Sequence, residues 1–220
     1  IQDGCDYNCS FCTIPLARGK SRSGTIKDII VQADKIAKSQ VREIVLTGVN
    51  IGDFGKDINN NLLILMKALE ELKGIDRFRI SSIEPNLLTD EIIQFISNSE
   101  KFLPHFHIPL QSGSATILKA MRRRYDLRLY EEKINMIKSL MPDACIGVDV
   151  IVGFPGETSN NFYETLDFLS MLEISYCHVF PYSERQNTDA LQITQKLPKT
   201  IITERRNIIH QLSNNKKHQF

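Results

Sequence analysis

Cys5, Cys9 and Cys12 follow the spacing C-x3-C-x2-C inside Gly4-Cys5-Asp6-Tyr7-Asn8-Cys9-Ser10-Phe11-Cys12. Three thiolates on so short an irregular loop can close on one soft metal centre, because the loop can aim all three sulfurs inward. A [4Fe-4S] cluster held wholly by protein takes four cysteines. Three would leave one iron open to an exogenous ligand. Zinc would want a fourth ligand, and no histidine precedes His105. A redox pair could use Cys9 and Cys12 but leaves Cys5 without a role. Three packed structural cysteines would need apolar cover that this polar loop does not offer. The spacing points to a cluster site, with zinc and a dithiol pair as its rivals.

A scaffold must hold that loop, and helix and strand signals alternate along the whole chain. Thr25 can cap a helix with Asp28 completing a capping-box pattern, and Ile26, Ile29, Ile30, Ala33, Ile36 and Ala37 form a stripe at helical spacing. A strand over 42–47 reads as buried on both faces, because Ile44-Val45-Leu46 is continuous rather than alternating. Leu62, Leu65, Met66, Leu69 and Leu72 mark a second helix, ended by Gly74. Further strands are predicted over 77–83, 106–110, 145–152 and 176–180. Helical patterns occupy 89–99, 114–121 continuing through 129–140, and 158–172, with Thr158 as an N-cap. A last helix over 198–217 carries Ile201, Ile202, Ile208, Ile209 and Leu212. Strand starts lie roughly 30 to 40 residues apart, the length of a βα unit, which predicts a parallel sheet with helical crossovers. Five strands are legible, and a sixth is expected at or before Ile1, feeding the cysteine loop. The fold class is α/β, a partial TIM-like (βα)6 barrel with its strand-to-helix loops on one face. Cys145 and Cys177 are expected as buried neutral thiols within strands. His105 and His107 alternate on one strand and so face the same side.

The cysteine spacing, the aromatic Phe11 before the third cysteine and the run of βα units resemble the radical S-adenosylmethionine (SAM) enzymes. Ile14-Pro15, Arg18-Gly19, Arg22-Ser23, Thr47-Gly48-Val49-Asn50, Gln111-Ser112-Gly113-Ser114, Gly153-Phe154-Pro155-Gly156-Glu157-Thr158 and Tyr182-Ser183-Glu184-Arg185 are similar to the methylthiotransferase signature. Gly52-Asp53-Phe54-Gly55, Arg79-Ile80-Ser81-Ser82-Ile83-Glu84-Pro85 and Met121-Arg122-Arg123-Arg124-Tyr125 most resemble the threonylcarbamoyladenosine tRNA branch. That branch adds a methylthio group to C2 of the hypermodified adenosine beside the anticodon. Sister branches act on isopentenyladenosine in tRNA or on an aspartate of a ribosomal protein. A metal-stabilised RNA-binding module is the non-enzymatic rival.

The resemblance implies that the open iron chelates the amino and carboxylate groups of SAM. One electron then cleaves the C5′–S bond, and the 5′-deoxyadenosyl radical abstracts hydrogen from the substrate. Cys5, Cys9 and Cys12 would be the ligands, with Phe11 packed beside SAM. Thr47, Gly48 and Asn50 are expected at its methionine end, and Glu84, Gln111 and Ser112 at its ribose. Gly153 to Glu157 would lie near the adenine, and Arg185 would meet a carboxylate or phosphate. Gln186-Asn187 stands where many relatives have Pro-Gly. Arg18, Lys20 and Arg22, with no acid among them in sequence, and Arg122, Arg123 and Arg124 are the expected contacts to the tRNA anticodon loop, whose target base must be splayed out. An electron-donor protein is a further expected partner.

The composition agrees with such a domain and excludes other classes. Lys+Arg 27 against Asp+Glu 26 gives 27 − 26 = +1, and 42% hydrophobic with 24% charged residues are globular values that exclude a disordered chain. No apolar run approaches the roughly 18 residues of a membrane span. Five cysteines at unequal spacings do not form a secreted disulfide framework. A cytoplasmic monomer is expected. The chain opens at Ile1 and holds no second cysteine triplet, so residues 1–220 are expected to be the catalytic domain of a longer protein. A sulfur-donating N-terminal domain and a C-terminal RNA-binding barrel would lie outside it.

Overall fold

Periodicity of apolar residues sets the elements, and side-chain caps set where they begin. The computed structural model describes residues 1–220. In chain order the elements are β1 (Gln2–Asp3), α1 (Ile14–Arg18), β2 (Arg22–Ser23), α2 (Ile26–Lys38), β3 (Glu43–Leu46), α3 (Leu62–Glu70), β4 (Arg77–Ile80), α4 (Asp90–Asn98), β5 (His105–His107), α5 (Ala115–Ala120), α6 (Leu127–Leu140), β6 (Cys145–Val152), α7 (Ser159–Met171), β7 (Tyr176–Pro181) and α8 (Lys199–Gln219). Thr25, Thr89, Asp126 and Thr158 each accept a backbone N–H of the first turn of α2, α4, α6 and α7. Such a cap contributes about 1 kcal/mol.

β3 pairs parallel with β4, placing Glu43 opposite Arg77 and Leu46 opposite Ile80. β5, β6 and β7 also run parallel. Bridges between Phe78 and Phe102 and between Ser82 and His107 join the two groups, so the order is β3-β4-β5-β6-β7. Leu46, Phe78, Ile80, Phe106, Ile146, Val148, Val150, Val152 and Cys177 point outward into a core beneath the helices, each at most 5% exposed. Alternation then sends Val45, Arg79, His105, His107, Asp149, Tyr176, His178 and Phe180 to the inner face. There they line an open hollow of about 470 Å³.

That hollow corrects the reading of 42–47 as buried on both faces: Leu46 is 3% exposed but Val45 is 46% exposed. The continuous apolar run supplies one residue to the core and another to the open concave side. Between Ile1 and the cysteine loop, Gln2–Asp3 pairs antiparallel with Arg22–Ser23 rather than joining the parallel sheet. The predicted continuous helical pattern from 114 to 140 is two helices. Arg122 takes φ +58° in the left-handed region, and the segment it redirects brings the Tyr125 hydroxyl onto the carbonyls of Pro109 and Leu110 at 3.0 and 2.6 Å. Cys177 is buried and its thiol is pushed up to about 12 by that burial, whereas Cys145 is only half-buried. The α8 helix packs on β7 through Ser213, whose Oγ accepts from Cys177 N at 2.8 Å and donates to Cys177 O at 3.0 Å. No helix is long and apolar enough to cross a membrane.

Candidate active site

The cysteine loop leaves β1 through Gly4, at φ +73°. A Cβ there would lie 2.0 Å from the Lys20 carbonyl oxygen, so only glycine fits. Cys5 N donates to Gly19 O at 3.1 Å and closes the loop at its base. Ser10 pins the middle: its N–H reaches Met121 O at 3.2 Å, its Oγ reaches Ala120 O at 2.8 Å, and its carbonyl accepts from Ala190 N at 2.8 Å. Gln2 ties this loop to the one after β3. Its Nε2 donates to Gly4 O at 2.8 Å and Ser21 Oγ at 2.9 Å, while its Oε1 accepts from Asn50 N at 2.9 Å. Gly48 admits that side chain, since a Cβ there would stand 2.9 Å from Gln2 Oε1.

All three cysteines line one cavity of about 220 Å³ at the C-terminal ends of the strands. Each sulfur has one N–H donor: Tyr7 N to Cys5 at 3.4 Å, Arg123 Nη1 to Cys9 at 3.2 Å, and Ile14 N to Cys12 at 3.4 Å. Burial pushes the Cys5 and Cys9 thiols up, and the Arg123 guanidinium draws Cys9 back down. Such donors stabilise the thiolate form that a metal requires. Arg123 is itself clamped by an ion pair with Glu84 and a 3.2 Å bond from its Nε to Tyr125 Oη. Asn50 lines the cavity and is 4% exposed; its Nδ2 donates to Asp53 at 2.7 Å, and its Oδ1 is buried without a partner. An orphaned acceptor beside three half-buried thiols fits a ligand that brings N–H donors to a metal centre. Gln111 lines the same cavity at φ +67°. A non-glycine residue held there costs about 1–3 kcal/mol, and such residues cluster at ligand sites.

Of the residues singled out in the sequence, Cys5, Cys9, Cys12, Phe11, Asn50, Glu84, Gln111 and Arg123 meet at this cavity. Thr47 and Gly48 sit beside it without lining it. Ser112 is fully buried and bonded to Thr165 Oγ1 at 3.1 Å, away from the cavity wall. Glu157 accepts from Gly153 N at 2.9 Å and forms a buried ion pair with Arg205, which fixes α8 on the turn after β6. Gly153, at φ +77°, lets Ile202 of α8 approach where a Cβ would be 2.5 Å away. Arg185 is exposed outside the cavity, and Asn187 takes φ +61°, a left-handed conformation that asparagine tolerates better than most residues.

The residues of the basic clusters have acidic and aromatic partners within the chain. Asp3, remote from them in the motif, pairs with both Arg18, at 3.0 Å, and Arg22. Lys20 lines a surface cleft with Cys5, Tyr7 and Asn8. Arg122 pairs with Asp189, and Arg124 stacks over Tyr7 at 4.0 Å from the ring centroid. Arg123 is buried, with 4% of its side chain exposed, and cannot meet an RNA phosphate. The sequence reading gave no role to Gln2 or Asp149, nor to Tyr7 and Ser82 within their motifs, and their places at the cavity follow from how the strands and the cysteine loop are brought together.

Among curated proteins, the chain is 42% identical over its whole length to the threonylcarbamoyladenosine tRNA methylthiotransferase MtaB of Aquifex aeolicus, covering 54% of it. It is 42% identical over 96% of its length to the MtaB of Bacillus subtilis, covering 47%. A tRNA-2-methylthio-N(6)-dimethylallyladenosine synthase of Clostridium tetani is 36% identical over the whole chain and half of its own length. The chain thus spans about half the length of the curated relatives it matches. Among solved structures, the radical SAM methyltransferase TsrM of Kitasatospora setae superposes with TM-score 0.70 at 14% identity, over 82% of this chain and 33% of that one. Coproporphyrinogen III oxidase HemN of Escherichia coli does so with TM-score 0.64 at 16% identity, over 99% and 51%. Residues 1–169, from the cysteine loop through β6 and most of α7, match the Radical SAM superfamily, and the chain belongs to it.

Proposed function

We propose that residues 1–220 are the catalytic domain of a cytoplasmic tRNA methylthiotransferase that acts on threonylcarbamoyladenosine beside the anticodon. The observation that carries this is the convergence of three N–H-supported cysteine sulfurs on one cavity that Asn50, Glu84 and Gln111 also line. Similarity along this whole chain to about half the length of proteins named for that reaction supports the substrate. Cys5, Cys9 and Cys12 fit a [4Fe-4S] cluster with one open iron, and when bound it supplies the electron for reductive cleavage of SAM.

The chain's own residues bind, orient and exclude water. Asn50 has an unpartnered acceptor that suits an ammonium or amide N–H, and Glu84 and Gln111 add polar side chains to the same cavity. Arg123 holds Glu84 and Cys9 in fixed relation, so cavity and cysteine loop move as one unit. Phe11 and Phe154 meet edge to face at 6.4 Å and cover the loop on its apolar side. Lys20, exposed beside Cys5, is the best placed cation for an RNA phosphate. An electron-donor protein completes the proposed set of partners.

The test is the whole protein incubated anaerobically with tRNA, SAM and reductant, followed by nucleoside mass spectrometry. A methylthio mass increment on threonylcarbamoyladenosine that is lost in Cys9→Ala is the expected result. An increment on isopentenyladenosine alone would assign the chain to the sister branch and overturn the substrate.

A further inference from the structure

We infer that His107, Asp149 and His178 form a second metal site, for a divalent first-row transition ion, on the inner face of the sheet. Their ligand atoms all lie within 4.8 Å of one another. His107 Nε2 and Asp149 Oδ1 are 2.9 Å apart. Two ligands bonded at about 2.0–2.2 Å stand about 2.9–3.1 Å apart at right angles and about 3.3–3.6 Å apart at the tetrahedral angle, so a small opening of the pair admits the ion. The three residues sit on three adjacent strands. Asp149 lies directly opposite His178 in the β6–β7 register, and His107 lies opposite Gly147, one pleat away on the same face.

A ring that must ligate through one nitrogen is usually oriented through the other. Ser82 Oγ bonds His107 Nδ1 and so turns Nε2 toward Asp149. Two imidazoles and one carboxylate favour Zn²⁺, Fe²⁺ or Co²⁺ over Mg²⁺ or Ca²⁺, which prefer all-oxygen shells. His178 is exposed, so the side of the site toward the hollow stays accessible to ions and to further ligands. Arg79, the cation of that hollow, is neutralised by its ion pair with Glu43. Ser82 and Asp149 line both the hollow and the cysteine cavity. An ion held here therefore stands at the boundary between them, where its open positions can take water or an oxygen or nitrogen atom of whatever fills the hollow. The site uses no thiol, and it shares only the Asp149 and Ser82 boundary with the cysteine cavity.

The test uses the chain with Cys5, Cys9 and Cys12 all changed to serine, so that thiolates cannot compete, titrated anaerobically with Co²⁺ and then Zn²⁺. One equivalent of Co²⁺ with ligand-field bands, no sulfur charge-transfer band, and displacement by Zn²⁺ is expected. Asp149→Asn and His178→Ala should each weaken binding by roughly tenfold or more, with circular dichroism unchanged. If the serine variant does not fold, the unmodified chain is titrated: a second Co²⁺ equivalent lacking sulfur bands and lost in His178→Ala supports the site. Absence of that equivalent in either protein, or binding undiminished by Asp149→Asn and His178→Ala, would show His107 and Asp149 to be a hydrogen-bonded pair alone and overturn the inference.

Discussion

Changing Arg123 to methionine should be among the most destabilising single substitutions outside the apolar core. The side chains of Arg123 and Glu84 are 4% and 15% exposed, so neither charge is screened by water. Methionine keeps most of the volume but leaves the Glu84 carboxylate buried without its partner and removes the donors to Cys9 and Tyr125. Breaking a buried pair from one side costs about 3–5 kcal/mol. For a chain of this length that corresponds to a fall in Tm of roughly 6–20 °C. Glu84→Gln combined with Arg123→Met removes the stranded charge, so the double variant should recover about 2 kcal/mol relative to the sum of the singles. Guanidinium unfolding followed by circular dichroism gives all four corners of the cycle. A cost below about 1 kcal/mol for Arg123→Met, or strict additivity in the double variant, would refute the clamp.

Gly4→Ala should abolish iron uptake by the cysteine loop, because the added methyl would overlap the Lys20 carbonyl at a positive φ; iron retained at the wild-type level after reconstitution would contradict this. Thr158→Ala should cost about 1 kcal/mol by removing the cap of α7, read by denaturant midpoint at unchanged m value. His105 is held below the usual histidine range by burial, with Arg79 and His107 adding to the effect. The unfolded chain therefore binds more protons than the folded one just below the ordinary histidine range, so wild type should lose stability relative to His105→Gln as pH falls from 7 toward 5. Parallel pH profiles of the two proteins would remove His105 from that role.

The cysteine triad and the βα order were legible because both are local: a spacing of thiols and a repeating apolar period. The strand ends were readable too, and of the residues placed there Asn50, Glu84 and Gln111 line the cysteine cavity whereas Thr47, Gly48 and Ser112 do not. What the sequence hid are pairings made across distance. Arg122, Arg123 and Arg124 read as one cationic patch, yet three neighbours take three different partners because Arg122 turns the chain with a positive φ. Arg18 and Arg22 looked free of acids until the β1–β2 ribbon brought Asp3 between them. Val45 shows the limit of pattern: an apolar run cannot tell a strand covered on both faces from one whose second face opens onto a hollow. Asp149 and His107 gave no motif, because a register between parallel strands has no signature within either strand.

Anaerobic reconstitution with iron and sulfide, followed by reduction with dithionite in the presence of SAM, tests the role of the cysteine cavity most directly. Iron content and 5′-deoxyadenosine are measured for wild type and Cys9→Ala. About four irons per chain, with product that vanishes in the variant, is the expected result. Zinc in place of iron, or equal product from the variant, would contradict it.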